Sequence, residues 1–379
     1  MNGGTGSKRT VSPEAAAAPY RQRRLTPYHI LSVHGLLVFT ILIAIVFSIL
    51  LPDTFPTLLT FRSIVISEAP TAILALGEMT VIACGQFDLS IGYGVGATAI
   101  VAVVLQVHSG FPWALASLAA ILFGCLIGLA NGIIVHFAKI DSFIVTLGVG
   151  YIIYSFSEWY TGGQEIVGTL PSGFQRISGG ALVGIPLPGI YAIILAIIIW
   201  VAMEFFPVGR YVYALGSNRR AAELSGIRPG RYIVGTFVVS GLLVGVAGVV
   251  LASSVSVATT DNGPDFLLPA FVAALLGAAT IRPGRVNAWG TIVAVLILAV
   301  GVAGIQQFGG SFFVSPLFNG VMLIVAVGIA GYASRRRRAA ASQPPSQTRD
   351  EVQAGDGGAA GGTGVTNKHV LEDTDETVG

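Results

Sequence analysis

The chain has 379 residues, of which 53% are hydrophobic and 11% charged, with a net charge of +2. A soluble domain carries roughly 25% charged residues to wet its surface, so this chain cannot coat the two or three soluble cores its length would otherwise suggest. The composition excludes a soluble multidomain enzyme and requires surface that faces lipid.

A membrane span needs roughly 20 apolar residues. The first 29 residues are polar and basic, rich in Gly, Ala and Ser, and are expected to be a disordered cytoplasmic segment. The first apolar run, 30–51, is too long for the core of a cleavable signal peptide and reads as a span. A second span at 64–84 carries Glu78, which would cost about 2.5–3.5 kcal/mol if charged at the bilayer centre. Such a residue either lines a pathway or snorkels to the nearby surface. The polar stretch Gly85-Gln86-Phe87-Asp88-Leu89-Ser90-Ile91 then separates this span from one at 92–108. Asp88 either caps the following helix or marks a broken helix whose freed backbone lines a cavity.

The next spans fall at 112–135 and 143–161. The first of them holds Asn131, suited equally to interhelical hydrogen bonding and to solute contact. It also holds Gly124, Gly128 and Gly132, which share one helical face, as Gly241, Gly245 and Gly248 do further on; both stripes predict close helix packing. Trp113, Trp159 and Tyr160 sit near span ends, where aromatic residues anchor at the membrane interface. Cys84 and Cys125 lie inside apolar runs and offer neither a disulfide framework nor metal-ligand spacing.

After a span at 189–206 comes the longest basic loop, 207–231. Within it, Ser217 or Asn218 can cap a short helix through Arg219, Arg220, Ala221, Ala222, Glu223, Leu224 and Ser225, which Gly226 terminates before Pro229. Two turns are marginal alone in water. The segment is either a charged loop at the headgroups or a helix that docks Ala221, Ala222 and Leu224 on a partner. Spans at 232–253, 266–281 (a short one), 288–306 and 315–333 complete the series, the ninth ending at Gln306 and Gln307. The run Arg335 to Arg338 reads as an anchor on anionic lipid, and the acidic tail to residue 379 is expected to be disordered.

Charge tests the count. With residues 1–29 inside, the alternate segments on that side hold seventeen Lys and Arg, against Arg62 and Arg176 alone outside. That asymmetry follows the positive-inside rule. The expectation is an all-α polytopic membrane protein of about ten transmembrane helices, both termini cytoplasmic, with its permease domain at 30–334 and a basic anchor and tail at 335–379.

No G-x-x-x-x-G-K-[ST] loop, HExxH pattern or Cys/His ligand set occurs. Uphill transport driven by ATP would therefore need the nucleotide on another chain.

Three blocks carry a resemblance. Gly209-Arg210-Tyr211-Val212-Tyr213-Ala214-Leu215-Gly216-Ser217-Asn218, followed by Ala221-Ala222-Glu223-Leu224-Ser225-Gly226-Ile227, is similar to the loop of ribose/xylose/galactose-type ABC transporter permeases, of the branched-chain amino acid/sugar permease family. Ala75-Leu76-Gly77 with Phe87-Asp88-Leu89-Ser90-Ile91-Gly92 resembles that family's Asp-Leu-Ser motif, and Asn131-Gly132 through Phe143-Ile144-Val145-Thr146-Leu147-Gly148 resembles a third block. Gln86 and Glu78 depart from the family pattern.

The resemblance implies a transport subunit, not an enzyme, in a bacterial cytoplasmic membrane. It implies a second permease copy in a homodimer or heterodimer, a cytoplasmic ATPase that binds ATP, and an extracytoplasmic solute-binding protein, with no nucleic-acid partner and no cofactor on this chain. Residues 218–226 would be the coupling helix, and Glu78, Asp88, Asn131 and Gln306 the candidate pathway residues. The solute would be a sugar. Alternatives are nucleosides, branched-chain amino acids, a signalling sugar, or, in another class, an ion-coupled carrier whose proton rides on Glu78 or Asp88.

Overall fold

A computed structural model describes residues 27–282, 284–310 and 313–341. The tails expected to be disordered lie outside these residues, except that 27–29 open the first helix and 335–341 close the last. The compact unit ends at Ser334; from Arg335 on, only the end of that last helix is described.

Every segment expected to span is helical. In chain order the helices are α1 (Pro27–Leu50), α2 (Leu58–Ala83), α3 (Ser90–Val107), α4 (Trp113–Ala138), α5 (Ser142–Thr161), α6 (Ser172–Gly179), α7 (Leu187–Phe205), α8 (Pro207–Ser217), α9 (Arg219–Leu224), α10 (Pro229–Val255), α11 (Leu267–Leu276), α12 (Ala288–Gln307) and α13 (Val314–Ala341). Among the described residues, six are long and apolar enough to cross a membrane: α2, α3, α4, α7, α10 and α12. The chain is an all-α polytopic membrane protein. Shorter apolar stretches cover Gly35–Leu50 in α1, Pro264–Ala279 around α11 and Val314–Gly328 in α13. At 20 residues α5 is long enough, but its second half is diluted by Tyr151, Tyr154, Ser155, Ser157 and Glu158.

The basic loop is more structured than its sequence suggests, since α8 forms a helix of its own before α9. Two short antiparallel ribbons also form. One pairs β1 (Ile166–Val167) with β4 (Val257–Ala258), the other β2 (Ala181–Leu182) with β3 (Ile185–Pro186).

At the centre stands α2, buried continuously from Ala69 to Val81 and packed by α7, α10, α11 and α12. The most extensive helix pairing is α4 with α10, and the glycine stripes explain it. A Cβ at Gly128 would lie 2.1 Å from the Phe237 carbonyl oxygen, and one at Gly241 would lie 2.2 Å from that of Gly124. The backbones touch, so helix attraction comes from dispersion and close approach, as small-residue seams in lipid require. Gly248 faces α3 in the same way, against Thr98.

Contacts sort the loops to two ends. At one end Phe87 N–H donates to Ser142 Oγ at 3.0 Å, Tyr213 OH donates to the Val286 carbonyl at 2.9 Å, and Arg282 and Arg285 pair with Glu204. The Arg285 guanidinium also covers the Tyr213 ring at 3.5 Å. Burial pushes the Tyr213 phenol above its ordinary range, against the opposing pull of Arg285. Here α8 also meets the α2–α3 junction, where a Cβ at Gly216 would lie 2.2 Å from the Ala83 carbonyl oxygen. At the other end Arg62 Nε donates to the Gly184 carbonyl at 3.3 Å and β1 pairs with β4.

The seam makes a clear prediction on a single helix. Gly241→Ala should destabilise the protein by about 1–3 kcal/mol, the ordinary range for overpacking. Gly235→Ala, with open space around it, should be neutral or stabilising. Melting temperatures of the two variants in detergent, read by size-exclusion chromatography, check the contrast.

Candidate functional site

The α2–α3 junction is irregular backbone that starts at the end where α8 packs, with Gly85 and Phe87 exposed, and turns into the bundle at Asp88, Leu89 and Ser90, which are buried. Its partners give the depth. Ser240 lies eleven residues into α10 and Asn131 seven residues before the end of α4, which places them about 16 Å and 10 Å from those helix ends at 1.5 Å per residue. Backbone amides at such depth have no water and must find partners in the protein.

They find them in side chains. Asp88 N–H donates to both oxygens of Glu78, at 3.2 and 3.3 Å, and Leu89 N–H donates to Thr146 Oγ1 at 3.0 Å. Asp88 Oδ1 accepts from Ser90 N–H at 3.1 Å and from Ser90 Oγ at 2.6 Å. Its Oδ2 accepts from Ser240 Oγ at 2.9 Å. Asn131 Nδ2 donates to Ser90 Oγ at 2.7 Å and, more weakly, to Asp88 Oδ1 at 3.5 Å. Glu78, Asp88 and Asn131 are at most 1% exposed. The cluster ties together α2, α3, α4, α5 and α10.

A second irregular segment runs beside it. After Ser256, which ends α10 in the left-handed region at φ 59°, residues 257–266 descend to the level of the first turns of α3. A Cβ at Gly96 would lie 3.3 Å from Gly263 Cα, and one at Gly263 would lie 2.5 Å from the Gly92 carbonyl oxygen. Phe87 in the first break meets Phe271 of α11, ring centroids 5.7 Å apart. On α3 and α5 beside them, Tyr93 lies 5.1 Å from Tyr151 and 5.9 Å from Tyr154. Tyr154 OH donates to Asp261 Oδ1 at 3.4 Å, and Thr260 Oγ1 donates to Glu158.

The fourth candidate stands apart. Gln306 is exposed, donates to Ser315 Oγ at 2.9 Å and lines a groove of about 290 Å³ between α2 and α12 with Thr60, Ser63, Ser67, Glu68 and Gln307.

Residues 60–327 match the family described as the permease component of the branched-chain amino acid transport system. The chain belongs to that permease family. Over 260 residues it is 34% identical to the autoinducer 2 import system permease protein LsrD of Escherichia coli (strain SMS-3-5 / SECEC), covering 67% of this chain and 78% of that protein. The LsrD protein of Shigella flexneri matches with the same identity and coverage. No solved structure matches. This permease is accordingly a transport subunit and a multi-pass protein of the bacterial inner membrane.

In the basic loop, α9 forms where a two-turn helix was expected. Asn218 caps it, its Oδ1 accepting from Ala221 N–H at 3.0 Å. Arg219 pairs with Glu223 at 3.0 Å, Ser225 closes the helix, and Gly226 turns the chain away at φ 86°. Leu224 is 80% exposed and Ala221 is exposed, with Arg220. One expectation needs correction: Ala222 is not part of the outward surface. It is buried against the permease itself, because a helix this short turns one side to its own protein, and Ile227 N–H donates to its carbonyl at 3.1 Å.

Sequence reasoning missed Ser142, Thr146 and Ser240, whose hydroxyls gave no signal among many, and the tyrosine cluster with Asp261. It also missed Glu68, which the criterion applied to Glu78 would have found.

Asp88 carries the junction. Asp88→Ala strips the acceptors from the Ser90 N–H, Ser90 hydroxyl and Ser240 hydroxyl donors, each worth about 1–3 kcal/mol when buried unpaired. It should abolish folded protein, whereas Asp88→Asn, which keeps one acceptor oxygen, should retain a reduced folded yield. Yield and melting temperature after membrane extraction distinguish the two.

Proposed function

We propose that this permease is the membrane-spanning subunit of an ATP-driven importer that translocates a sugar delivered by an extracytoplasmic solute-binding protein. It crosses the membrane ten times, with both termini cytoplasmic, and works beside a second permease copy. Hydrolysis of ATP takes place on a separate cytoplasmic chain. The seventeen-to-two distribution of basic residues supports the orientation. The loops holding Lys139, Arg210, Arg219, Arg220, Arg228, Arg231, Arg282 and Arg285 are cytoplasmic on this reading. Reporter fusions after residues 140, 220 and 284 should therefore be cytoplasmic, and those after 56, 175 and 262 external.

The observation that carries the proposal is α9. A six-residue helix, capped at both ends, stands on the basic face with a leucine almost fully in solvent. So short a helix would not hold its shape without docking, and its inward side, at Ala222, is already used. The outward side, Leu224 with Ala221, Arg219 and Arg220, serves as the coupling surface for the ATPase. Glu78, Asp88 and Asn131 act as the rigid frame beside the pathway rather than as its lining. The named relatives import autoinducer 2, so that molecule joins the sugars to be screened.

Burial of a leucine-sized side chain in a partner's groove is worth about 1.5–3 kcal/mol. Leu224→Asp should therefore release the ATPase on co-purification and abolish binding-protein-stimulated hydrolysis in nanodiscs, with insertion unchanged. Arg219→Ala and Arg220→Ala should be mild, since exposed ion pairs contribute about 0–1 kcal/mol. Wild-type retention and hydrolysis by Leu224→Asp would remove the coupling role. Solute accumulation by the chain alone, collapsing with the ion gradient, would identify an ion-coupled carrier instead.

A further inference from the structure

We propose that Tyr93, Tyr151, Tyr154 and Asp261 form the solute-contact wall of the pathway, and that they bind an uncharged, polyhydroxylated solute. This rests on the permease function above and adds to it a place and a chemistry.

The place follows from what lipid does not tolerate. Asp261 is exposed, and it sits on irregular backbone that runs down to the first turns of α3. A carboxylate facing hydrocarbon is expensive, and non-helical backbone at membrane depth survives only when it is buried in protein or lines a water-filled cavity. The second break packs against the first turns of α3 through Gly92, Gly96 and Gly263, and interrupted helices of this kind frame transport sites. The polar half of α5 points the same way. Its Tyr151 is 55% exposed and borders an open surface hollow of about 520 Å³ with Ile152, Ser155, Phe156 and Trp159, all on α5.

The chemistry follows from the side chains. Three tyrosines with centroids 5.1 and 5.9 Å apart offer ring faces for the C–H side of a sugar ring, and phenolic groups that both donate and accept. Asp261 is an acceptor only when ionised, suited to adjacent hydroxyls. It already orients Tyr154 through Oδ1. Glu158, the neighbouring carboxylate, is held by Thr260. No cation serves the wall among the described residues: Arg62 is turned to the Gly184 carbonyl, and Arg176 lies on α6. A solute whose only charge is a carboxylate or phosphate would meet Asp261 with no counter-charge, so an anionic solute fits poorly.

The test uses the full chain assembled with its ATPase and binding protein in membrane vesicles. Tyr151→Cys and Asp261→Cys are exposed to a membrane-impermeant, charged thiol reagent. Ile198→Cys on the outer face of α7 serves as the lipid control and Val183→Cys in the β2–β3 turn as the aqueous control. Both wall positions should label at rates near that of Val183→Cys. Ribose, xylose or galactose at ten times its dissociation constant should slow that labelling about tenfold, while leucine and glutamate leave it unchanged. Labelling no faster than at Ile198→Cys overturns the wall, even if Leu224→Asp upholds coupling to an ATPase. Protection by leucine or glutamate, or by none of the three sugars, overturns the ligand class. If the wall labels and is protected while Leu224→Asp stays coupled, the wall stands and the coupling role falls.

Discussion

A peptide N–H shut away from water must have a partner, and the inner half of the α2–α3 junction, from Asp88 to Ser90, buries several of them among five helices. Everything around Asp88 answers that requirement. Glu78 reaches forward to the Asp88 amide, Thr146 takes the next one at Leu89, and the Asp88 carboxylate gathers Ser90, Ser240 and Asn131. A helix break that would otherwise be ruinous thus becomes the point at which five helices are registered against one another. The residues that look most like transport chemistry in the sequence are used to hold the break in place.

That registration depends on distance. Ser and Asn side chains are short, so the helices bearing Ser240 and Asn131 must come close to the junction and to each other. The glycines of α4 and α10 allow it, with backbone against backbone from Gly124 to Gly245. The seam and the hydrogen-bonded cluster therefore support one another: the seam sets the spacing, and the cluster fixes the sliding position of α10 along α4. Polar bonds alone would not suffice, as each is worth little when alternatives exist in the membrane-inserted unfolded state.

Much of this was legible in the sequence, and the failures have physical causes. Hydrophobic runs and basic loops located the helices because lipid imposes length and the positive-inside bias imposes sign. Caps located α9, since Asn218 and Gly226 act within a few residues of chain. The stripes at Gly124, Gly128 and Gly132 foretold a seam but not its partner. What remained hidden was long-range: Asp88 meets Ser240 across 152 positions, and Tyr154 meets Asp261 across 107. Gln306 and Glu78 looked alike as polar residues in apolar runs, yet one lies in an open groove and the other is sealed. The inward turn of Ala222 depended on where α8 sends α9, which no local pattern records.

The contact between Gly216 and the Ala83 carbonyl has a mechanical meaning. Glycine offers no side chain to bend, so the end of α8 meets the end of α2 as one hard surface against another. The same helix is clamped at Tyr213 to Val286 and Arg285, just before α12, and it passes directly into α9 through Asn218. Load applied to α9 would reach the Asp88 break with almost no compliance in between, and would arrive at α12 by the same rigid arm. A bulkier residue at 216 would act as a spacer in that linkage, changing the throw of the lever while leaving both of its ends intact.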